Sequence, residues 1–433
     1  MFSFSVIQLA RKMSHKLDHE LRKNLVGLYH PFRKIPCFLH RPFEMVAKRM
    51  KKLPVIIEFE LNEEAFANGL SSLKSHKGKI KHEYPAISCC SAHLSIKTLE
   101  KVLENCEHIK KIHYDRKISL LLDNASASIK APAVNESGIT GKDVTIAIVD
   151  TGIYPHEDLK DRIVAFKDFV NNKQAPYDDN GHGTHCAGDA AGNGSLSDGK
   201  YKGPAPEANL VGVKVLNKMG SGSLSTVIAG VNWCIENKET YNIDIISMSL
   251  GSEATQSAKD DPVVKIVEKA WDSGIVVCVA AGNSGPGQKT ISSPGTSPKV
   301  ITVGAMKDNN TNDRKDDVVA DFSSRGPTID GLVKPDLLTP GVNIISTRSP
   351  GSFLDKTNSS SRVGKNYFSL SGTSMATPIC AGAVALIIQN DRGLSPDEVK
   401  QKLLSGAEDW GLSPNTQGKG YLDIQKAVES SGS

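Results

Sequence analysis

Several things are scarce in this sequence of 433 residues, and each scarcity excludes something. Aromatic residues make up only 6%. No stretch approaches the ~18 consecutive apolar residues of a membrane-spanning helix, so neither a span nor a membrane partner is expected. No internal repeat recurs, which excludes solenoids and propellers. Gly (37) and Pro (21) stay at ordinary levels and exclude collagen-like or low-complexity architecture. The eight cysteines (Cys37, Cys89, Cys90, Cys106, Cys186, Cys234, Cys278 and Cys380) lack zinc-type spacing. The adjacent pair Cys89–Cys90 suits neither a tetrahedral site nor an ordinary disulfide. A chain this long builds its core without covalent staples. Buried free thiols in a reducing compartment are therefore expected. Met1–Ala10 is weakly apolar but has no basic stretch ahead of it, unlike a secretory signal, so the expected location is cytoplasmic.

What is present is an uneven charge. The net of +4 divides into +9 over residues 1–52, +1 over 53–122 and −6 over 123–433. Solvated charge is the default reading of the basic front, docking on the acidic body is the second, and an outside partner such as nucleic acid or a membrane the third. Residues 1–52 read as a basic helical arm, with Leu17, Leu21, Leu25 and Leu28 on one helix face before Pro31, Pro36 and Pro42 break the pattern. Residues 53–122 alternate strand, helix, strand, strand, helix, strand, a small ferredoxin-like α+β unit. Residues 123–140, rich in Asn, Ser, Ala and Gly, read as a linker and processing region. From 141 to 433 apolar strands alternate with helices, which predicts an α/β domain with a mainly parallel sheet covered on both faces. Ligands of such sheets bind at the carboxyl ends of the strands.

Four residues at such positions carry chemistry. Asp150 ends the strand VTIAIVD; alone it reads as a cap or a metal ligand. His182 opens a helix in DNGHGTH, between glycines that leave room for close approach. With His185 it makes H-x-x-H without the Glu of H-E-x-x-H, which argues against zinc. Asn283, in AAGNSGP, is either a turn residue or an oxyanion donor. Ser374, in SGTSMATP, opens a long apolar helix whose first N–H groups lack partners; it is either an N-cap or a nucleophile beside free donors. Ala376 stands where G-x-S-x-G has its last glycine, which argues against an α/β-hydrolase elbow.

Taken together, VTIAIVDTGI, NGHGTHCAG, SMSLG, AAGNSGP, FSSRGP, KPDLLTPGV and SGTSMATPICAG resemble the subtilisin-like serine proteases, the subtilases, over about 300 residues. The whole chain, basic front included, is most similar to their intracellular type from bacilli. The resemblance implies a subtilisin-like three-layer fold and a serine endopeptidase. Ser374 would be its nucleophile, His182 its base, Asp150 the orienting carboxylate and Asn283 an oxyanion donor. Substrate backbone would lie between Gly220–Ser221–Gly222 and Ser249–Leu250–Gly251. Ala280, Ala281, Gly282 and Ile291–Gly295 would border a P1 pocket that prefers larger apolar groups. Residues 53–122 resemble an inhibitory prodomain, with Lys117–Leu122 entering the cleft and self-cleavage within Ile118–Ser128. The implied partners are protein and peptide substrates and the chain's own prodomain, with no nucleic acid. No cofactor is implied for the chemistry. Structural calcium is, with Asp158 at one ligand position of the family. Asp308, Asp313, Asp316 and Asp317 form a second oxygen-rich loop, either a cation site or a solvated loop. The competing reading is a non-catalytic binding protein on the same fold; lost triad residues would mark it. The sedolisins, with Glu for the His and Asp for the Asn, are excluded by His182 and Asn283.

Overall fold

The computed structural model describes residues 8, 11–18, 21–22, 25–26, 44, 48–60, 62–76, 78–85, 88–114, 123–309 and 314–430. The chain forms two compact units, Met1–Ile118 and Ser119–Ser433. Leu28, the three arm prolines, Lys117–Leu122 and Asp313 lie outside the described residues.

The first unit runs β1 (Lys52–Phe59), α1 (Glu63–Ser75), β2 (Lys79–Tyr84), β3 (Cys89–Ser95), α2 (Ile96–Asn105) and β4 (Ile109–Tyr114). The strands form an antiparallel sheet in the order β2-β3-β1-β4. Period-two alternation in β1 turns Val55, Ile57 and Phe59 into one core with Leu73, Leu99 and Val102 from the two helices. Asn62 and Ser95 cap those helices through their side-chain oxygens. The arm does not stand apart from this core. Leu17, Leu21 and Leu25 are 0–1% exposed within it. Leu17 pairs in parallel with Ile112, through Ile112 N–H to Lys16 O (2.8 Å) and Asp18 N–H to Ile112 O (3.0 Å), so the arm covers the free edge of β4. Position 52 is thus the start of a strand rather than a boundary between two cores.

The second unit opens with α3 (Asp123–Ser128) and α4 (Ala131–Glu136). This corrects the linker expected over 123–140. Of the small residues that read as loop composition, Ala125 and Ala131 are buried in the main core, beside Ile129 and Val134. Packing rather than turn formation is their use.

The remaining strands are β5 (Thr145–Asp150), β6 (Ile163–Asp168), β7 (Asn209–Lys214), β8 (Ile243–Met248), β9 (Val276–Ala280), β10 (Ile301–Lys307), β11 (Val318–Val319), β12 (Leu337–Pro340), β13 (Ile344–Thr347), β14 (Arg362–Val363), β15 (Tyr367–Leu370), β16 (Ala407–Glu408) and β17 (Tyr421–Leu422). Ten of them build one sheet in the order β16-β17-β12-β10-β9-β8-β5-β7-β6, with β11 beside β10. All pairings are parallel except β10–β11 and β16–β17. The principal helices are α5 (His182–Ala191), α6 (Leu224–Glu236), α7 (Pro262–Asp272), α8 (Phe353–Thr357), α9 (Thr373–Asn390) and α10 (Pro396–Ser405). Helix α5 packs on α9, and α6 on α7. By length and composition α9 could cross a membrane, but 78% of it is buried in this unit, and it is the core helix here. Because the central strands run parallel, Asp150, Lys214, Ser249 and the Ala280–Asn283 turn all emerge at one edge of the sheet.

Candidate active site

Asp150 reaches that edge fully buried. Its Oδ1 accepts the Thr151 N–H at 2.7 Å and pairs with His182 Nδ1 at 2.8 Å. Its Oδ2 has no hydrogen-bond partner. A proton on Nδ1 leaves Nε2 of the neutral ring as an acceptor, so the carboxylate sets the tautomer that a base needs. Burial alone would favour neutral imidazole. The adjacent Asp150 carboxylate overrides it and holds the His182 pKa well above its ordinary value.

His182 sits at the first position of α5, behind Gly181 at φ 104°, a left-handed conformation that favours glycine. Asp178 secures this helix end. Its Oδ1 accepts Gly181 N–H (2.8 Å) and Thr151 Oγ1 (3.0 Å), and its Oδ2 accepts Thr184 N–H (2.9 Å). Thr151 Oγ1 in turn accepts Gly183 N–H at 2.9 Å, so the residue after Asp150 is tied to the residue after His182. His185, the other histidine of the pair, is 1% exposed. It binds Asp189 through Nδ1 (2.9 Å) and the carbonyls of Ile344 and Phe368 through Nε2, a structural role inside α5.

Ser374 is the second residue of α9, and its backbone N–H has no partner among the described residues. Its carbonyl would ordinarily accept from residue 378, but that residue is Pro378, which has no N–H. Two side chains substitute. Ser249 Oγ donates to Ser374 O at 2.7 Å, and Cys186 Sγ approaches it at 3.5 Å. Burial pushes the Cys186 thiol up to about 11, so it keeps its proton at neutral pH although its sulfur lies 3.7 Å from His182 Nδ1. The Ser374 hydroxyl donates to Ser249 O at 3.1 Å, and no hydrogen bond joins it to His182 among the described residues.

The Asn283 side chain is oriented by Thr373. Its Oδ1 accepts both Thr373 N–H (2.9 Å) and Thr373 Oγ1 (3.0 Å). With the oxygen so engaged, the amide NH2 is the free end. Asn283 Nδ2 and Ser374 N–H, two donors without a partner among the described residues, thus lie at the mouth of one helix N-terminus.

His182, Asn283 and Ser374 line one cleft of about 620 Å³. Gly220, Ser221, Gly222, Ser249, Leu250, Gly251, Ala280 and Gly282 line it too, as do Ser292, Ser293 and Pro294. Among the described residues, the backbone groups of Gly222, Leu250 and Gly251 carry no hydrogen bond, leaving two rims with free backbone groups of the kind an added strand pairs with. Ala281 departs from expectation. It is buried, bonded through N–H to Val303 O and through C=O to Ser292 N–H, and it supports the pocket wall without lining it. No Asp, Glu, Lys or Arg lines the cleft among the described residues.

The expected metal position at Asp158 needs correction. A cation requires converging oxygen acceptors, but donors converge here. Ser195 Oγ–H (2.9 Å) and Leu196 N–H (3.1 Å) point at Oδ1, and Tyr367 O–H (2.8 Å) points at Oδ2. The 192–200 loop carries hydrogen bonds to the carboxylate where a cation would stand, and the residues do not fit calcium. In the other acidic loop, Asp308 accepts the Ser128 hydroxyl at 2.7 Å. Burial, aided by the Asp308 charge, pushes Asp317 up to about 6.

Sequence reasoning missed the supporting set: Asp178, Thr151, Cys186, Lys214 and Thr373. One signal was available, the proline four residues after Ser374, which predicts an orphaned carbonyl and hence a nearby side-chain donor.

A family model described as the Subtilase family matches residues 141–422. Serine protease AprX of Bacillus subtilis (strain 168) is 53% identical over 439 residues, covering 99% of this chain and 99% of that protein. Subtilisin E of the same organism is 35% identical over 359 residues, 81% of this chain and 84% of that protein. Among solved structures, sphericase matches with a TM-score of 0.55 at 31% identity, over 66% of this chain and 93% of that one. A cold adapted subtilisin-like serine proteinase matches with a TM-score of 0.50 at 33% identity, over 66% and 88%.

Proposed function

The chain belongs to the subtilase family and is a subtilisin-like serine protease; on that premise we propose that Ser374, His182, Asp150 and Asn283 carry its chemistry. Ser374 Oγ attacks the scissile carbonyl while His182 Nε2 takes its proton. Asp150 holds the ring and stabilises the imidazolium. Asn283 Nδ2 and Ser374 N–H receive the charge that develops on the carbonyl oxygen. His182 then protonates the leaving amine, and water hydrolyses the acyl-enzyme. The observation that carries this reading is the 2.8 Å contact between His182 Nδ1 and buried Asp150, in one cleft with the two free donors. The reaction requires the Ser374 hydroxyl to leave Ser249 O and turn toward Nε2, a rotation between staggered wells on the ps–ns scale.

The uncharged cleft supports a broad endopeptidase with an apolar P1 preference, acting on protein and peptide substrates. We also propose that the chain is made as a zymogen whose residues 53–122 inhibit the cleft, and that it works in the cytoplasm. The seven cysteines among the described residues are all free, as a reducing compartment allows.

The test is labelling of the full chain by phenylmethylsulfonyl fluoride with peptide mapping, beside Ser374→Ala. The expected result is label on Ser374 and no peptidase activity or self-cleavage in the alanine variant. Label elsewhere, or activity surviving the substitution, would sink the assignment.

A further inference from the structure

Lys214 ends β7 with its side chain completely buried, at the sheet edge from which the catalytic loops rise. Its ammonium makes three hydrogen bonds, each to a different part of the cleft. One goes to Thr151 O (2.6 Å), the carbonyl directly after Asp150. One goes to Asp179 Oδ1 (2.7 Å), in the segment three residues before His182. One goes to Leu216 O (2.9 Å), whose residue lines the cleft wall. The Tyr177 ring lies 5.3 Å from the ammonium and closes its remaining side. β5 and β7 pair in register here, Asp150 opposite Lys214. The three donors of a lysine are thereby all used, and no uncharged side chain offers three donors from one nitrogen.

Among carboxylates the ammonium is bonded to Asp179. Around the imidazole itself stand Asp150 from β5, at 2.8 Å, and Cys186 from α5, at 3.7 Å.

We propose that Lys214 is a positioning residue for the reaction: its ammonium locks the Asp150 and His182 segments to each other and to the Leu216 wall, so that the base and the substrate rim keep one geometry. This rests on the triad reading above. Lys214 touches neither substrate nor reacting atoms. It acts through the backbone on which Asp150 and Leu216 stand and through the segment that carries His182.

The test uses the full chain with Lys214→Met, Asp179→Asn and the double variant. The readouts are kcat and KM on a peptide series varied at the residue before P1, the pH profile, the melting temperature and the extent of Ser374 labelling. Misplacing a catalytic pair by about 1 Å costs on the order of 100-fold, and a loss of that size in kcat is expected for Lys214→Met, with altered selectivity at the varied position. Its acidic limb should move to lower pH, because a loosened Asp150–His182 contact no longer holds the ring's pKa as high. Asp179→Asn keeps a neutral hydrogen bond to the ammonium. It should fold, lose about 10-fold or less in kcat, and move the limb the same way by less, because the lock is weakened and not removed. The double variant should be no worse than Lys214→Met. A merely structural lysine would lower the melting temperature and leave kcat per labelled site and both limbs unchanged, which would overturn the proposal. Should Lys214→Met not fold, an unmoved limb and unchanged selectivity in Asp179→Asn would overturn it alone. Wild-type protein unlabelled at Ser374 would remove the triad reading first, and this proposal with it.

Discussion

Replacing Ser249 by alanine should cost stability because of a proline far away in sequence. Pro378 leaves the Ser374 carbonyl without its intrahelical donor, and Ser249 Oγ–H at 2.7 Å is the stronger of its two substitutes. Removing it leaves only the thiol of Cys186 at 3.5 Å, a weak donor. An acceptor deprived of its partner in a buried setting costs about 1–3 kcal/mol. For a unit of roughly 300 residues, the unfolding entropy near the midpoint is about 0.6 kcal/mol/K, so a loss of ~2 kcal/mol lowers Tm by ~3 °C. The measurement is calorimetry of the full chain carrying Ser374→Ala, which removes self-digestion and leaves the carbonyl in place. Pro378→Ala supplies the missing N–H. In that background Ser249→Ala should cost ~1 kcal/mol less, a coupling of the size contacting residues show. Equal costs of Ser249→Ala in the two backgrounds would refute the account, whatever the absolute stability of Pro378→Ala.

Three further outcomes follow from the geometry. Asn283→Ala should lower kcat by 10²–10³ with little change in KM, the size known for such a donor in subtilisin, a relative of this chain; a change confined to KM would place Asn283 in binding instead. Because the neutral ring is the base and the Asp150 carboxylate, acting against burial, raises its pKa, activity should appear only as pH rises past a limb above the ordinary histidine value. In Asp150→Asn that limb should fall and kcat with it, and an unmoved limb would argue against the pairing. Chelation by EDTA should leave amide exchange of Leu196 in Ser374→Ala unchanged, whereas Tyr367→Phe should speed it; acceleration by EDTA alone would restore a metal at Asp158.

How much of this was legible in the sequence depends on the range of the interaction that decides each feature. Strand tips were legible because burial on both faces writes continuous apolar runs. VTIAIVD ends at Asp150 in sequence and in space, and the small-residue stretch before Ala191 is α5. At the start of α10 the decisive bonds are equally local, a capping box between Ser395 and Glu398 three residues on. The linker reading of 123–140 failed because Ala and Ser signal loops by composition, yet Ala125 and Ala131 are buried in the main core, a fact about neighbours far along the chain. Asp158 misled in the same way, since a carboxylate looks identical to sequence reasoning whether cations or donors surround it. Its donors come from positions 195, 196 and 367. The supporting bonds of the cleft share this property. Nothing in the sequence marks Lys214 out, because its three acceptors are a carboxylate and two carbonyls that meet only when β5 and β7 pair. The exception is instructive. A proline removes a donor at a fixed backbone offset, so its consequence can be computed from sequence alone: the chain must bring a side-chain hydrogen-bond donor to residue 374. Ser249 and Cys186 come from different elements to meet that single local demand.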